Sequence, residues 1–476
     1  MLFSSPIFLF AFLPIVLAVY YGPLRSTRRG QNLFLLIASL FFYGWAEPAF
    51  ALVMVGSILL NYSLGLWAAW LRRKKKSTVP AVAVAAVCNL SLLFVFKYLT
   101  FVLANLRSLG ANVPLWDIVL PVGISFFTFQ ALSYVLDVAR GDAPCQKNPL
   151  HVGLYIAFFP QLIAGPIVKY RTVTEQIQNR RETWEHFSQG CYRFLIGLGK
   201  KVLLSNQLAV IADAAFGTGG PDSVVMAWLG SLCYTLQIFF DFGGYSDMAI
   251  GLGKMFGFQF LENFRYPYLA ASPSDFWKRW HISLSTWFRD YVYIPLAGNR
   301  KGKYRTILNM FLVWLLTGIW HGANWTFILW GLTWFVALAC QRLLPDRNVC
   351  LPLWLRRVLT LLLVNATWVL FRADSVGDAF SFLGTMFLWN APPLWSVQAG
   401  YYLAQNVVVL AAAALACAPT ATWLRGRLAH LSARNGLPAL LNAWDALCAV
   451  ATVCILLVSA AYLVKGTYNP FIYFNF

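Results

Sequence analysis

Ala49-Phe-Ala-Leu-Val-Met-Val-Gly-Ser-Ile-Leu-Leu-Asn-Tyr-Ser-Leu-Gly-Leu-Trp-Ala-Ala-Trp70 carries no charge, and Arg72-Arg-Lys-Lys-Lys76 follows it almost at once. A helix rises about 1.5 Å per residue, so such a run crosses a bilayer core of roughly 30 Å. Similar runs recur at Ile7–Tyr21 with its flanks, Val79–Leu103, Met226–Phe242 and its continuation, Val358–Phe371, Tyr401–Cys417 and Ala443–Val464. Of the 476 residues, 59% are hydrophobic and only 12% charged, against about 25% charged in soluble domains. These runs predict an all-α, polytopic transmembrane bundle with on the order of ten to twelve crossings. No soluble domain, linker or repeat is visible, so residues 1–476 read as a single integral-membrane domain.

The formal charge of +19 would suggest nucleic acid in a soluble protein. Here the cations cluster between apolar runs, as in cytoplasmic loops of membrane proteins, and nucleic acid is set aside. The Arg72–Lys76 cluster is placed inside. The polar stretch Asn105–Asp117, with Arg107 as its one cation, is placed outside. The N-terminus has no basic residue before Arg25 and reads as a retained first span with Met1 outside. Nine cysteines are scattered, with Cys88, Cys233, Cys340 and Cys454 inside apolar runs and no Cys-x-x-Cys pair. They read as small buried hydrophobes. No paired histidines, P-loop or Gly-x-Ser-x-Gly elbow occurs, and no metal site is expected. The longest polar stretch, Lys169–Ser188, fits a capped helix with one apolar stripe.

Two regions do not fit simple crossings. In Ser272–Leu296, Ser272, Pro273 and Asp275 form a helix start. Phe276, Trp280, Leu284, Trp287, Phe288 and Tyr291 recur at helical spacing, with Lys278, Ser285 and Arg289 opposite. This predicts a helix lying in the interface, on the cytoplasmic side given the adjacent Arg300–Arg305 loop. Thr306–Gln341 is almost wholly apolar but, at roughly 50 Å as one helix, too long for one span. It is expected to break at Gly318–Asn324. A break inside the membrane requires surrounding protein or a water-filled cavity, with His321 at its wall. A tight hairpin at the membrane surface is the competing geometry.

His321 is the first candidate for chemistry. An ionisable group within an apolar stretch is costly and often functional, although a core histidine tied to a neighbouring helix fits equally. Imidazole exchanges protons near neutral pH and can activate a hydroxyl for acyl transfer. Asn324 could orient the ring or donate to an oxyanion. His281 reads first as a headgroup-facing residue of an amphipathic helix, and second as a polar group beside the reaction path. Lys278, Arg279 and Arg289 could hold an anionic donor, although positive-inside topology accounts for the same charges. Asp241 and Asp247 flank Gly243 and Gly244, which permit a bend. These acids either line a cavity or clamp helices. Gly251 and Gly253 are spaced for close packing.

Several of these segments, with others, resemble the membrane-bound O-acyltransferase family, and especially its alginate O-acetylation branch. They are Pro121-Val-Gly-Ile-Ser-Phe126, Phe159-Pro-Gln-Leu-Ile-Ala-Gly-Pro166, Phe240-Asp-Phe-Gly-Gly-Tyr-Ser-Asp-Met-Ala-Ile-Gly-Leu-Gly253, Phe276-Trp-Lys-Arg-Trp-His-Ile-Ser-Leu-Ser-Thr-Trp287, Arg289-Asp-Tyr291, Gly298-Asn-Arg-Lys-Gly302 and Trp320-His-Gly-Ala-Asn324. The resemblance runs nearly the whole chain. It implies a helical bundle around a central tunnel, with re-entrant or interfacial helices at the cytoplasmic face. It implies His321 as the catalytic histidine and His281 as the second characteristic polar position. Trp320, Asn324, Asp241 and Asp247 are grouped with them as cavity-lining or orienting residues.

The resemblance also implies an O-acetyltransferase of the bacterial inner membrane that takes acetyl groups from acetyl-CoA, with no bound cofactor. It would act with an extracytoplasmic partner of the SGNH-hydrolase type and a polysaccharide synthesis and secretion complex, surrounded by membrane lipid. Alginate and cellulose are the leading polymers, and related proteins serve peptidoglycan or transfer D-alanine to teichoic acid. Broken helices also suit a transporter or flippase, but no inverted repeat is visible. A non-catalytic scaffold is the remaining alternative.

Overall fold

The computed structural model describes residues 1–45, 47–344, 351–389, 391–466 and 468–472. Every regular element among them is helical. Eight helices are long and apolar enough to cross a membrane, and Phe8–Tyr21 is a shorter apolar helix. Among the described residues this is fewer than the expected ten to twelve, and the further helices fall just short on length or hydropathy. Arg28–Gly44 and Ile124–Arg140 reach only 17 residues each, and Gly302–His321 is interrupted by polar side chains.

The centre of the bundle is Val224–Met255, a 32-residue axial helix buried along most of its length. The Ser223 hydroxyl starts it by accepting from the Met226 N–H at 3.2 Å. It continues unbroken through Gly243 and Gly244. Gly244 serves contact. A Cβ on Gly197 would lie 2.5 Å from the Gly244 carbonyl oxygen, and one on Gly190 would lie 2.6 Å from that of Gly251. The axial helix and the Trp184–Phe216 helix thus touch backbone to backbone at two levels. In lipid, association relies on such close packing, because lipid tails are as apolar as the side chains. Gly253 faces the Phe260 ring rather than a helix.

The Ser272–Leu296 region differs from one helix lying flat. Ser272 caps as expected, its hydroxyl accepting from the Asp275 N–H at 3.2 Å. The helix ends at Trp277 and a second one, Ile282–Phe288, follows, with His281 between them at φ +44°. All six stripe residues, Phe276, Trp280, Leu284, Trp287, Phe288 and Tyr291, are buried in protein. The break is held by Asn263. Its carbonyl accepts from the Ile282 N–H at 3.0 Å, and its side-chain oxygen accepts from the Ser283 N–H at 3.1 Å. The segment is therefore folded into the bundle.

Gly302–His321 and Trp325–Leu343 fold back on each other around Gly322–Asn324. The break thus falls inside the expected window, as a helical hairpin with His321 buried in protein at its turn. A Cβ on Gly331 would lie 2.5 Å from the Trp314 carbonyl oxygen, and one on Gly318 would lie 2.6 Å from that of Phe327. Lys169–Ser188 is also not one helix. It forms two four-residue turns, after which Thr183 caps the Trp184 helix by accepting from the His186 N–H at 3.1 Å. Of the four cysteines in apolar runs, Cys233 is buried, whereas Cys340 and Cys454 lie on outward faces of their helices.

The glycine contacts give a test. Gly251→Ala is expected to destabilise the protein by about 1–3 kcal/mol through overpacking. Gly56→Ala, where a Cβ meets nothing within 4 Å, is expected to be neutral or stabilising. Thermal unfolding in detergent compares the two, and equal midpoints would refute the contact.

Candidate active site

The histidine helix, Gly302–His321, ends inside the protein, leaving its last carbonyls without helical partners. Two consecutive residues of the Val79–Ser108 span meet them. Tyr98 donates to the Ile319 carbonyl at 2.8 Å, and the Lys97 Nζ donates to those of Trp320 at 2.6 Å and His321 at 3.2 Å. A cation at a helix C-terminus is also electrostatically favourable. Both residues belong to a widened turn, Phe94–Tyr98.

The imidazole of His321 is 5% exposed and packs edge-on against aromatics. Its centroid lies 5.0 Å from that of Trp320, 4.9 Å from Trp330 and 5.1 Å from Phe371. Its Nδ1 is buried with no hydrogen-bond partner among the described residues. A core histidine tied to a neighbouring helix would have spent that atom on the tie.

His281 lies across Trp320 from His321, with its ring 6.1 Å from the Trp320 ring, and is 1% exposed. The headgroup-facing reading is thereby excluded. Its Nδ1 sits 3.2 Å from the Asn263 side-chain oxygen. That oxygen accepts from a backbone N–H, which fixes the amide orientation, so Nδ1 must donate. Nε2 is then left with a free lone pair, buried and without a partner among the described residues.

The remaining candidates divide. Trp320 separates the two histidines. Asn324 caps the Trp325 helix, accepting from the Thr326 N–H at 3.1 Å, and donates to the Asp374 carbonyl at 2.8 Å. These contacts point its amide away from His321, which corrects the orienting role, but Asn324 does line a cavity of about 260 Å³. Asp241 and Asp247 clamp helices and do not line the cavities around His321. Asp241 pairs with Lys201 at 2.6 Å, both side chains 1% exposed, and accepts from the Ile472 N–H at 2.9 Å. Asp247 pairs with Arg193 at 2.8 Å and Lys200 at 2.7 Å. The neighbouring Trp184–Phe216 helix presents these three cations, so the acids are neutralised between helices.

Of the three donor-binding candidates, Lys278 is exposed and Arg279 pairs with Asp275 at 2.8 Å. Arg289 pairs with Asp290 at 2.8 Å and also lines a cavity of about 210 Å³ with Trp277, Ser285 and Tyr293. Lys169 and Arg171 reach the same Asp290, at 2.5 and 2.7 Å. Burial alone would raise the Asp290 carboxyl, but hydrogen bonds from Arg289 and Lys169 hold it below the ordinary carboxylate range. Arg171 also meets Asp142 at 3.8 Å, and of these charged groups only Arg289 lines the cavity.

That cavity also touches Met310, Val313, Trp314 and Thr317 of the histidine helix. At 3.6 residues per turn these share one face, and the next residue on it is His321. Beyond His321, Phe327 and Phe371 border a second cavity of about 260 Å³, lined with Asp213, Arg372, Asp374 and Tyr468. His321 itself lines a third cavity, of about 20 Å³, with Lys97, Ser125 and Trp320.

The membrane-bound O-acyltransferase profile matches residues 146–347. A probable alginate O-acetylase of Pseudomonas putida is 40% identical over all of both chains. The chain belongs to the membrane-bound O-acyltransferase family. A probable alginate O-acetylase of Azotobacter vinelandii is 39% identical, again over both full lengths. A peptidoglycan O-acetyltransferase of Helicobacter pylori is 35% identical over 81% of this chain and 80% of its own. The protein is thus an acyltransferase, and the fold is the family's helical membrane fold.

Lys97 was missed in the sequence. The signal was present, because a lone lysine inside Val79–Leu103 is an intramembrane charge. Asn263 and Lys201 carried no comparable signal, since their partners come from elsewhere in the fold.

The clamp role of Asp241 has a distinct signature. Asp241→Leu leaves Lys201 buried and unpaired, an expected loss of about 3–5 kcal/mol. Asp241→Leu combined with Lys201→Met is expected to recover much of that stability and to keep acyl transfer. A refolded but inactive double variant would return Asp241 to the reaction path.

Proposed function

We propose that the protein moves acetyl groups from cytoplasmic acetyl-CoA across the bacterial inner membrane for O-acetylation of an exopolysaccharide. Alginate is the favoured polymer, because relatives named alginate O-acetylase match this chain end to end. The observation that carries the reading is the position of His321. It follows on the helix face, Met310 to Thr317, that lines a cavity together with Arg289. The Arg289 guanidinium suits a coenzyme A phosphate. The start of the histidine helix carries Arg300, Lys301, Lys303 and Arg305, which the positive-inside rule assigns to the cytoplasm.

The chemistry follows from the two imidazoles. The free Nδ1 of His321 provides a base for the acceptor hydroxyl, whose neutral form is a poor nucleophile. His281, fixed by Asn263 through Nδ1, keeps Nε2 unpartnered and supports the donor thioester. Coenzyme A is large and anionic and stays on the cytoplasmic side, whereas a neutral acetyl group passes. An extracytoplasmic SGNH-type partner would then place acetyl groups on the polymer. The Helicobacter pylori relative supports peptidoglycan as the second reading.

Purified protein in liposomes with radiolabelled acetyl-CoA tests the proposal. Wild type is expected to release coenzyme A or become labelled, and His321→Ala to lose about 10²–10⁴-fold of that rate while folding normally. Equal rates from both proteins would remove His321 from the chemistry. No reaction from either, with the partner and polymer present, would sink acetyl-CoA as donor.

A further inference from the structure

Ile124–Arg140 begins at Gly123, whose φ of +78° turns the chain into the helix, and no side chain caps it. Its first turn, Gly123 to Phe126, opens on a cavity of about 20 Å³ whose other walls are Lys97, Ile163, Trp320 and His321. A site of that size holds about one water-sized atom. The Ser125 N–H, one of the first-turn donors that a helix leaves free, finds no backbone carbonyl among the described residues. The Ser125 hydroxyl oxygen accepts from the Lys97 Nζ at 3.2 Å. An ammonium has no acceptor capacity, so that contact uses a lone pair and leaves the hydroxyl proton to donate. Lys97 spends its other donors on Trp320 and His321. The cavity thus holds two donors of one residue, the positive end of a 17-residue helix, and the 5%-exposed His321 with its unpartnered Nδ1.

We propose that this cavity is the oxyanion site of acetyl transfer, with Ser125 as a catalytic residue and Lys97 as the positioning residue that polarises it. The proposal rests on the acetyl-transfer reading and deepens it. His321 takes the proton of the acceptor hydroxyl, and the acceptor oxygen bonds to the acetyl carbon. The carbonyl π pair moves onto its oxygen, which lies against the Ser125 N–H and O–H. When that pair returns, the carbon–sulfur bond breaks and His321 gives its proton to the leaving thiolate. Donors preorganised at a developing oxyanion stabilise the transition state more than the neutral ground-state carbonyl. Lys97 also holds the His321 carbonyl, so one ammonium sets the distance between base and oxyanion site.

The test is Ser125→Ala beside wild type in the liposome assay, with a saturation curve and a thermal midpoint for each. The expected result is a fall in kcat of about 10²-fold, with the KM for acetyl-CoA within about twofold and an unchanged midpoint. A Ser125→Ala protein as fast as an active wild type overturns the oxyanion role and leaves the acetyl-transfer reading standing. A raised KM or lowered midpoint in step with kcat overturns it in favour of packing. An inactive wild type overturns both together.

Discussion

An α-helix that stops inside an apolar interior leaves carbonyl oxygens that must be met by something. In this protein they are met by Lys97 and Tyr98, and the site is arranged around that contact. Because the histidine helix can end there, His321 is held at depth on a short turn. Because the turn is short, the Trp325–Leu343 helix returns close alongside, and only glycine fits at positions 318 and 331. That return brings Trp330 against the imidazole, and Phe371 closes the third side. Deleting the ammonium would expose the end of the helix to hydrocarbon and loosen every one of these contacts.

The excess of positive charge is used inside the bundle as well as beside the membrane. The Trp184–Phe216 helix carries Arg193, Lys200 and Lys201 along the side that meets the axial helix, whose Asp241 and Asp247 answer them. The widened turn at Lys200–Ser205 is where Lys201 enters the interior. Glycine contacts set the spacing of the two helices and the ion pairs set their register. Removing one charge of the Lys201–Asp241 pair leaves an uncompensated ion at 1% exposure, so the pair constrains which side chains can coexist there.

The helical membrane class was legible from run lengths alone, since a run such as Ala49–Trp70 has few other uses. The break near His321 was also legible, because Thr306–Gln341 is too long to be one span. What periodicity could not convey was that the Phe276–Tyr291 stripe faces protein. An aromatic stripe looks the same whether it meets lipid or tryptophans, and the deciding residue, Asn263, lies 18 positions before His281. Asp241 and Asp247 were ambiguous for the same reason, since acids at depth need partners and their cations sit on another helix. Asn324 stands three residues from His321, yet at the start of a helix a cap is the ordinary use of asparagine, and its cavity-lining place comes with that cap.

The order of groups along the histidine helix bears on what surrounds the imidazole. Met310, Val313, Trp314 and Thr317 line one cavity, and His321 follows one turn later. Phe327 and Phe371 pack on each other at 4.9 Å and stand between His321 and the second cavity. Phe371 also packs on the imidazole, at 5.1 Å. Such a wall admits a small neutral group far more readily than an ion or a large thioester, because a ring displaced by a charge leaves that charge desolvated. The second cavity is lined with Asp213, Arg372, Asp374 and Tyr468, so a polar wall begins where the aromatic one ends, at Phe327 and Phe371. The aromatic residues that hold His321 in place therefore also set the polarity around it.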